Sequence, residues 1–180
     1  MSAGRGTGRG SGSGQKHSSS AGGVGGTSAR RPGGESDMTV SYVTFHLGDG
    51  LYGIEVLRVQ EVLTEQRLTR VPLAPPEVAG LVNLRGQVVT AVDLRRRLGL
   101  PPREEGEKST DLVVRVGDEV VALLVDGIGD VVEVAEGDLE PPPDTLSGPM
   151  ADLITGACQL PDRLLMPLDV ARAVAIPQAA

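Results

Sequence analysis

The sequence predicts a mainly β protein assembled from small barrels, and three observations carry that prediction. Roughly nine or ten short apolar segments of strand character recur from residue 40 onward, separated by Gly, Pro and Asp punctuation. Helical patterning is confined to a few short stretches, so no crossover helices are available for a βαβ sheet. The apolar residues are aliphatic and rich in Val: the chain of 180 residues has no Trp, one Phe and two Tyr. A chain of this length buries one ordinary core or two small ones, and more than one small barrel fits the strand count.

Residues 1–37 have a different character. Gly and Ser make up 20 of the 37, without apolar periodicity. Such a segment buries too little surface to offset the entropy of ordering it, so it is expected to be a disordered tail. Five basic side chains against two acidic ones give it a net charge of +3, leaving −10 of the overall −7 to residues 38–180, the expected folded domain. Met38 opens the ordered pattern and offers an alternative translation start.

The elements follow in order. "VTFHL" alternates Val43, Phe45 and Leu47 with Thr44 and His46, the pattern of a half-buried strand. Gly48-Asp49-Gly50 marks a hairpin turn into "LYGI". In "EVLRVQEVL", Val56, Val59, Val62 and Leu63 fall on one helical face, which predicts a short amphipathic helix at about 55–64. "LTRVPL" and the Pro75-Pro76 break precede one helical turn ending at Gly80. In "GLVNLRGQVV", Arg85-Gly86 occupies a hairpin turn where Asn-Gly or Asp-Gly would be usual. Asp93 caps a small helix closed by Gly99, whose Arg95, Arg96 and Arg97 are expected on a solvated surface.

After the polar "PREEGEKST" linker, "DLVVRV", "EVVALLV" and "DVVEV" read as three strands, the first two joined by a Gly117-Asp118 turn. The glycines of "DGIGD" serve a bend or bulge between two of them. "LITGACQL" and "LLMPL" form a last pair, with Pro167 expected at an edge or bulge, before a short helix near Asp169 to Val174.

Composition and motifs exclude several function classes. Net negative charge and scarce aromatics speak against nucleic acid, and the apolar runs are too short for membrane insertion as helices. The start lacks the charged and apolar segments of a secretory signal, and the lone Cys158 forms no internal disulfide, so a cytoplasmic location is expected. No Cys/His cluster suggests a metal, no glycine motif suggests a nucleotide cofactor, and His17 and His46 complete no catalytic network. A protein-binding scaffold without catalysis fits best. A nucleic-acid-binding barrel and an enzyme using scattered carboxylates are the competing classes.

"FHLGDGLYGIEVLRVQEVL" followed by "VPLAPPEVAGLVNLRGQVVTAVDL", then "VVALLVDGIGDVVEV" and "LITGACQLPDRLLMPLDV", resembles in order and spacing the bacterial chemotaxis coupling proteins, the CheW-like domain family, over about residues 40–175. The resemblance implies two five-stranded SH3-like β-barrel subdomains and an adaptor that joins the cytoplasmic tips of methyl-accepting chemoreceptors to the regulatory domain of the histidine kinase CheA. It implies a chemosensory output for swimming or, alternatively, for twitching or development. It assigns Val59, Glu61, Gly80 and Arg85 to receptor binding, with Glu61 expected to pair with Arg85 through a bidentate fork. It assigns Gly48, Asp49, Gly50 and Tyr52, as exposed edge and loop residues, to the kinase contact.

Overall fold

The computed structural model describes residues 6–12 and 38–176. Met1–Gly34 and Glu35–Ala180 form separate units. In the first, residues 6–12 are exposed and carry no regular secondary structure. The rest of the predicted 1–37 tail lies outside the described residues.

The second unit is mainly β. Strands β1 (Thr39–Leu47), β2 (Gly50–Glu55), β9 (Gly127–Ala135), β10 (Cys158–Gln159) and β11 (Leu164–Pro167) make one sheet in the order β10-β11-β2-β1-β9. The other contains β3 (Val59–Thr64), β4 (Leu68–Thr69), β5 (Val78–Leu84), β6 (Gln87–Asp93), β7 (Thr110–Val116) and β8 (Glu119–Val125), in the order β3-β7-β8-β6-β5-β4. It holds the five expected strands plus the two-residue β4. The second sheet is thus an insertion between β2 and β9 of the first, a nesting that a linear reading of strands does not reveal.

Both sheets curl, for identifiable reasons. β3 and β4 stand at opposite edges of their sheet, yet only three residues separate them. Four chain steps span at most about 14 Å, so the edges must come together. In the first sheet the continuation of β9 meets the approach to β10 through reciprocal backbone bonds, Glu140 N to Ala157 O at 2.8 Å and Ala157 N to Glu140 O at 2.9 Å.

Burial follows the two curled sheets. Tyr42, Leu51, Val134, Cys158 and Leu165 fill the first. Val82, Val89, Ala91, Ala122 and Leu124 fill the second. A third and larger cluster lies between the sheets, including Phe45, Ile54, Leu112, Leu123 and Val125, with Leu94 and Leu98 from the small helix. Several strands are therefore covered on both faces, which is why "VVALLV" is continuously apolar rather than alternating. Thr44 is buried for the same reason, and its hydroxyl donates to Asp130 O at 2.6 Å. That bond sits at the bulge between Val43 and Phe45 in the pairing of β1 with β9.

Five expectations are corrected. Residues 55–64 form a 3-10 turn, Val56–Arg58, followed by β3 rather than an amphipathic helix. The apparent helical spacing arises from a bulge: Val59 faces Val114 and Glu61 faces Val113, so Gln60 is an extra residue that disturbs the period of two. Gly80 lies inside β5, at a bulge, while the turn before the strand closes earlier through Val78 N to Pro75 O. In "LITGACQL", Leu153 ends helix α2 (Pro149–Leu153), and only Cys158–Gln159 is strand. Pro167 lies in a strand flanked by β10 and β2, where its last position, not an edge or bulge, accommodates the missing N–H.

The fifth concerns the arginines of helix α1 (Leu94–Arg97). Arg97 donates to Ala173 O at 3.0 Å and Arg172 O at 2.9 Å, near the end of helix α3 (Val170–Val174), where a cation is favoured. Arg95 is largely buried against Asp126, which is the only residue between β8 and β9. The carboxylate accepts from Arg95 Nε at 2.9 Å, Arg103 Nε at 3.1 Å and Gly48 N at 2.7 Å. Burial pushes its pKa up, but the bonds from Arg95, Gly48 and Arg103 outweigh that and hold it below the ordinary value. Asp111, on β7, has the opposite environment. It is 1% exposed and neither carboxylate oxygen has a hydrogen-bond partner. Burial raises its pKa to about 6, against the pull of the Gln66 amide and Arg103 and with added repulsion from Glu65.

Two predictions follow from these carboxylates. Asp126→Ala strands two partly buried guanidinium groups and is expected to cost roughly 3 kcal/mol, read as a fall in Tm of about 6–12 °C. Because the folded pKa of Asp126 is lowered, its stabilisation is present above the unfolded pKa and is lost as pH falls through the folded one. Asp111 acts in reverse: its contribution is present below pH ~4 and lost as pH rises through about 6. Asp111→Asn should therefore raise the urea midpoint at pH 8, by about 1–2 kcal/mol of stability, and lose that advantage at pH 4.

Candidate functional site

The candidate site is built at the closure of the second sheet. β3 supplies Glu61 from one edge, and the β5–β6 hairpin supplies Arg85 from near the other. Leu84 pairs with Gln87 across the two-residue turn Arg85-Gly86, with φ of 51° and 85°. Positive φ at both central residues is the type I′ geometry that matches strand twist. The usual Asn or Asp is replaced by an arginine in the left-handed region. Asn83, just before, compensates: its Oδ1 accepts from Gly86 N at 2.9 Å. "NLRG" therefore carries its own turn support, a role the sequence analysis missed although the signal, an Asn three residues before Gly, lay in the motif.

The turn displays Arg85, whose side chain is 82% exposed, and Arg85 Nη2 donates to Glu61 Oε2 at 2.8 Å. The expected pairing is present through one bond instead of a bidentate fork. The bulge at Gln60 re-aims β3, and Glu61 reaches across the barrel seam. Val59 is half-buried and packs against the cluster between the sheets. The structure thus brings Glu61 and Arg85 together, with Val59 two residues away on β3.

Gly80 contributes through space. A Cβ there would lie 2.5 Å from the carbonyl oxygen of Thr69, so only glycine lets β4 approach β5. Leu68 then pairs with Val82 and Thr69 with Leu81. Gly80 holds the edge of the sheet beside the Arg85 hairpin, and it is buried.

The residues expected at the kinase contact divide. Gly48 and Asp49 are exposed and Gly50 is half-buried in the β1–β2 turn. Tyr52 is 2% exposed, and its strand lies between β11 and β1, so neither the exposure nor the edge position expected of it is found. Its ring stacks near Phe45, with centroids 6.0 Å apart and an interplanar angle of 23°. Burial raises its pKa. A cavity of about 350 Å³ lies at this turn, lined by Gly48, Asp49, Gly50, Tyr52, Arg95 and Leu100 among others.

A family model described as the CheW-like domain matches residues 41–177. The chain belongs to the CheW-like domain family. It is 31% identical over 147 residues to the chemotaxis protein CheW of Treponema pallidum, covering 78% of this chain and 85% of that one. It is likewise 31% identical to CheW of Klebsiella aerogenes over 129 residues, 72% of this chain and 78% of that one. The crystal structure of the scaffolding protein TtCheW from Thermoanaerobacter tengcongensis aligns with a TM-score of 0.69 at 26% identity, covering 77% of this chain and 94% of that one. The CheW-like membership and these relatives support a chemotaxis scaffold or adaptor. Among the described residues no helix is long and apolar enough to cross a membrane.

The candidate site separates two kinds of substitution. Gly80→Ala is expected to destabilise by about 2 kcal/mol, because the new methyl meets backbone rather than a movable side chain. Glu61→Gln removes an exposed pair and should change stability by no more than about 0.5 kcal/mol. Chemical denaturation of both variants checks the contrast.

Proposed function

We propose that this protein is a non-catalytic adaptor that couples the cytoplasmic tips of methyl-accepting chemoreceptors to the histidine kinase CheA. It acts in the cytoplasm, held at receptor arrays by protein contacts. The observation that carries the reading is Arg85: a long cation presented in a left-handed turn, supported by Asn83 and steadied by Glu61. A guanidinium held this way presents its remaining donors to a partner carboxylate or carbonyl. Its loss costs the fold little, since an exposed ion pair is worth under about 1 kcal/mol. Charge and turn support thus favour a role in recognition over one in folding.

Val59 and Gly80 complete the receptor-facing region in this proposal, Val59 from the start of β3 and Gly80 by holding the β4 edge. The kinase regulatory domain meets the β1–β2 turn at Gly48, Asp49 and Gly50, with Tyr52 supporting the turn from the core. The turn is tied to the Asp126 clasp through Gly48 N, so a kinase-facing surface and the junction between the sheets share one anchor. No step of this function needs a cofactor or a metal.

Reconstitution tests the proposal. Purified kinase, a receptor signalling fragment and this protein are combined, and kinase autophosphorylation is followed. The wild-type chain is expected to raise kinase activity in a receptor-dependent way. Arg85→Ala should weaken receptor co-sedimentation about ten-fold while Tm stays within about 2 °C. Unchanged phosphorylation on adding the wild-type protein would overturn the adaptor reading.

A further inference from the structure

Residues 67–73 are exposed without interruption, and among the described residues Leu73 and Leu57 are the most exposed large apolar side chains. Leu68 and Val71 are 36% and 39% exposed, and Leu73 is 100% exposed. Its backbone is also unusual. Val71-Pro72-Leu73-Ala74 forms a turn closed by Ala74 N to Val71 O at 3.3 Å, and Leu73 has φ of 64°. Proline at the second position and positive φ at the third define a type II turn, whose third position favours Gly or Asn. A leucine there is strained and exposes its whole side chain to water. Among the described residues nothing covers the Leu73 side chain, and a residue both strained and exposed in this way points to a contact outside the chain.

Charge and position say what that contact is. Arg67 and Arg70 flank the apolar residues, and among the described residues neither takes part in an ion pair. The protein around them has a formal net charge of −7, so this stretch offers an acidic partner a local attraction that the bulk does not. Leu68 pairs with Val82, three residues before Arg85, so Arg67 precedes β4 on the side of that hairpin. Gly80 permits this approach by leaving room for the Thr69 carbonyl. The Arg67 end of the stretch is therefore the end nearer the Arg85 hairpin, and from Thr69 the chain runs toward the start of β5.

The geometry points to residues 67–73 as an extension of the receptor-facing surface, with Leu73 as its apolar anchor and Arg67 and Arg70 as its cationic flank. Its occupant is a segment of the chemoreceptor tip that presents acidic side chains around an apolar recess. This inference rests on the coupling role proposed for Arg85. It adds a second contact to it and gives the strained, exposed Leu73 a partner.

The test uses the full chain, a receptor cytoplasmic-tip fragment and, separately, the kinase regulatory domain. Leu73→Gly relieves the positive φ while deleting the side chain. Leu73→Asn tolerates the same φ and keeps the result readable if glycine loosens the turn. Both variants are expected to keep or raise Tm and to bind the receptor fragment about ten-fold more weakly, with kinase-domain binding unchanged. Arg67→Glu with Arg70→Glu should weaken receptor binding further and flatten its salt dependence. Wild-type receptor affinity in both Leu73 variants would overturn the inference, as would a fall in Tm that accompanies the loss, or a loss confined to the kinase domain. If Arg85→Ala alone weakens receptor binding, the extension fails and the coupling role stands. If Arg85→Ala and the Leu73 variants all bind as wild type, both fall.

Discussion

The Asp126 carboxylate is the constraint on which the rest of the architecture depends. The chain passes from the second sheet to the first within that one residue, and its backbone N–H is tied to His46 O at 3.0 Å. Its side chain receives Arg95 from helix α1, Arg103 from the linker and Gly48 from the β1–β2 turn. A buried carboxylate is unfavourable alone. Here each acceptor site is matched by a donor from a different segment, so one side chain fixes the relation of hairpin, helix and strand crossing. The cluster between the sheets then packs against a frame whose ends are already defined.

Closure of the second sheet has the same logic on a larger scale. A link of three residues between β3 and β4 brings the two edges together, and Gly80 lets the last edge approach its neighbour. The surface where the edges meet is where Glu61 and Arg85 find each other. The site is therefore a product of barrel closure, made from groups that are 24 residues apart in the chain. Its members do different work. Gly80 and Asn83 shape the backbone, while Arg85 is displayed and contributes little to folding.

Asp111 shows where folding and solvation disagree. It sits in a strand whose neighbours are apolar, without a hydrogen-bond partner, and burial keeps its pKa high. Asp126 and Asp111 carry the same side chain and titrate in opposite directions. The difference is the supply of donors, two guanidinium groups and an amide for one and none in hydrogen-bonding geometry for the other. Neither environment is visible from sequence spacing, because their decisive neighbours, Arg95 and Arg103 or Gln66 and Glu65, come from other elements.

By itself the sequence determined the local choices. Asp93 and Asp169 cap short helices, their side chains accepting from Arg95 N and Arg172 N. Gly99 and Gly117 take positive φ where turns were read, and the apolar runs of β7 and β8 became strands. These depend on interactions within a few residues, so composition and spacing reveal them. The Arg85-Gly86 turn was legible in the sequence, but its Glu61 partner only with the family resemblance, since an ion pair across 24 residues leaves no local trace. Tertiary structure alone decided that the second barrel is inserted in the first and that β3 is bulged strand rather than helix. It also placed Arg95 inward and Tyr52 in the core. Those outcomes turn on which face a neighbouring sheet covers. A bulge at Gln60 imitates helical spacing, and an arginine run looks solvated until Asp126 is brought to meet it.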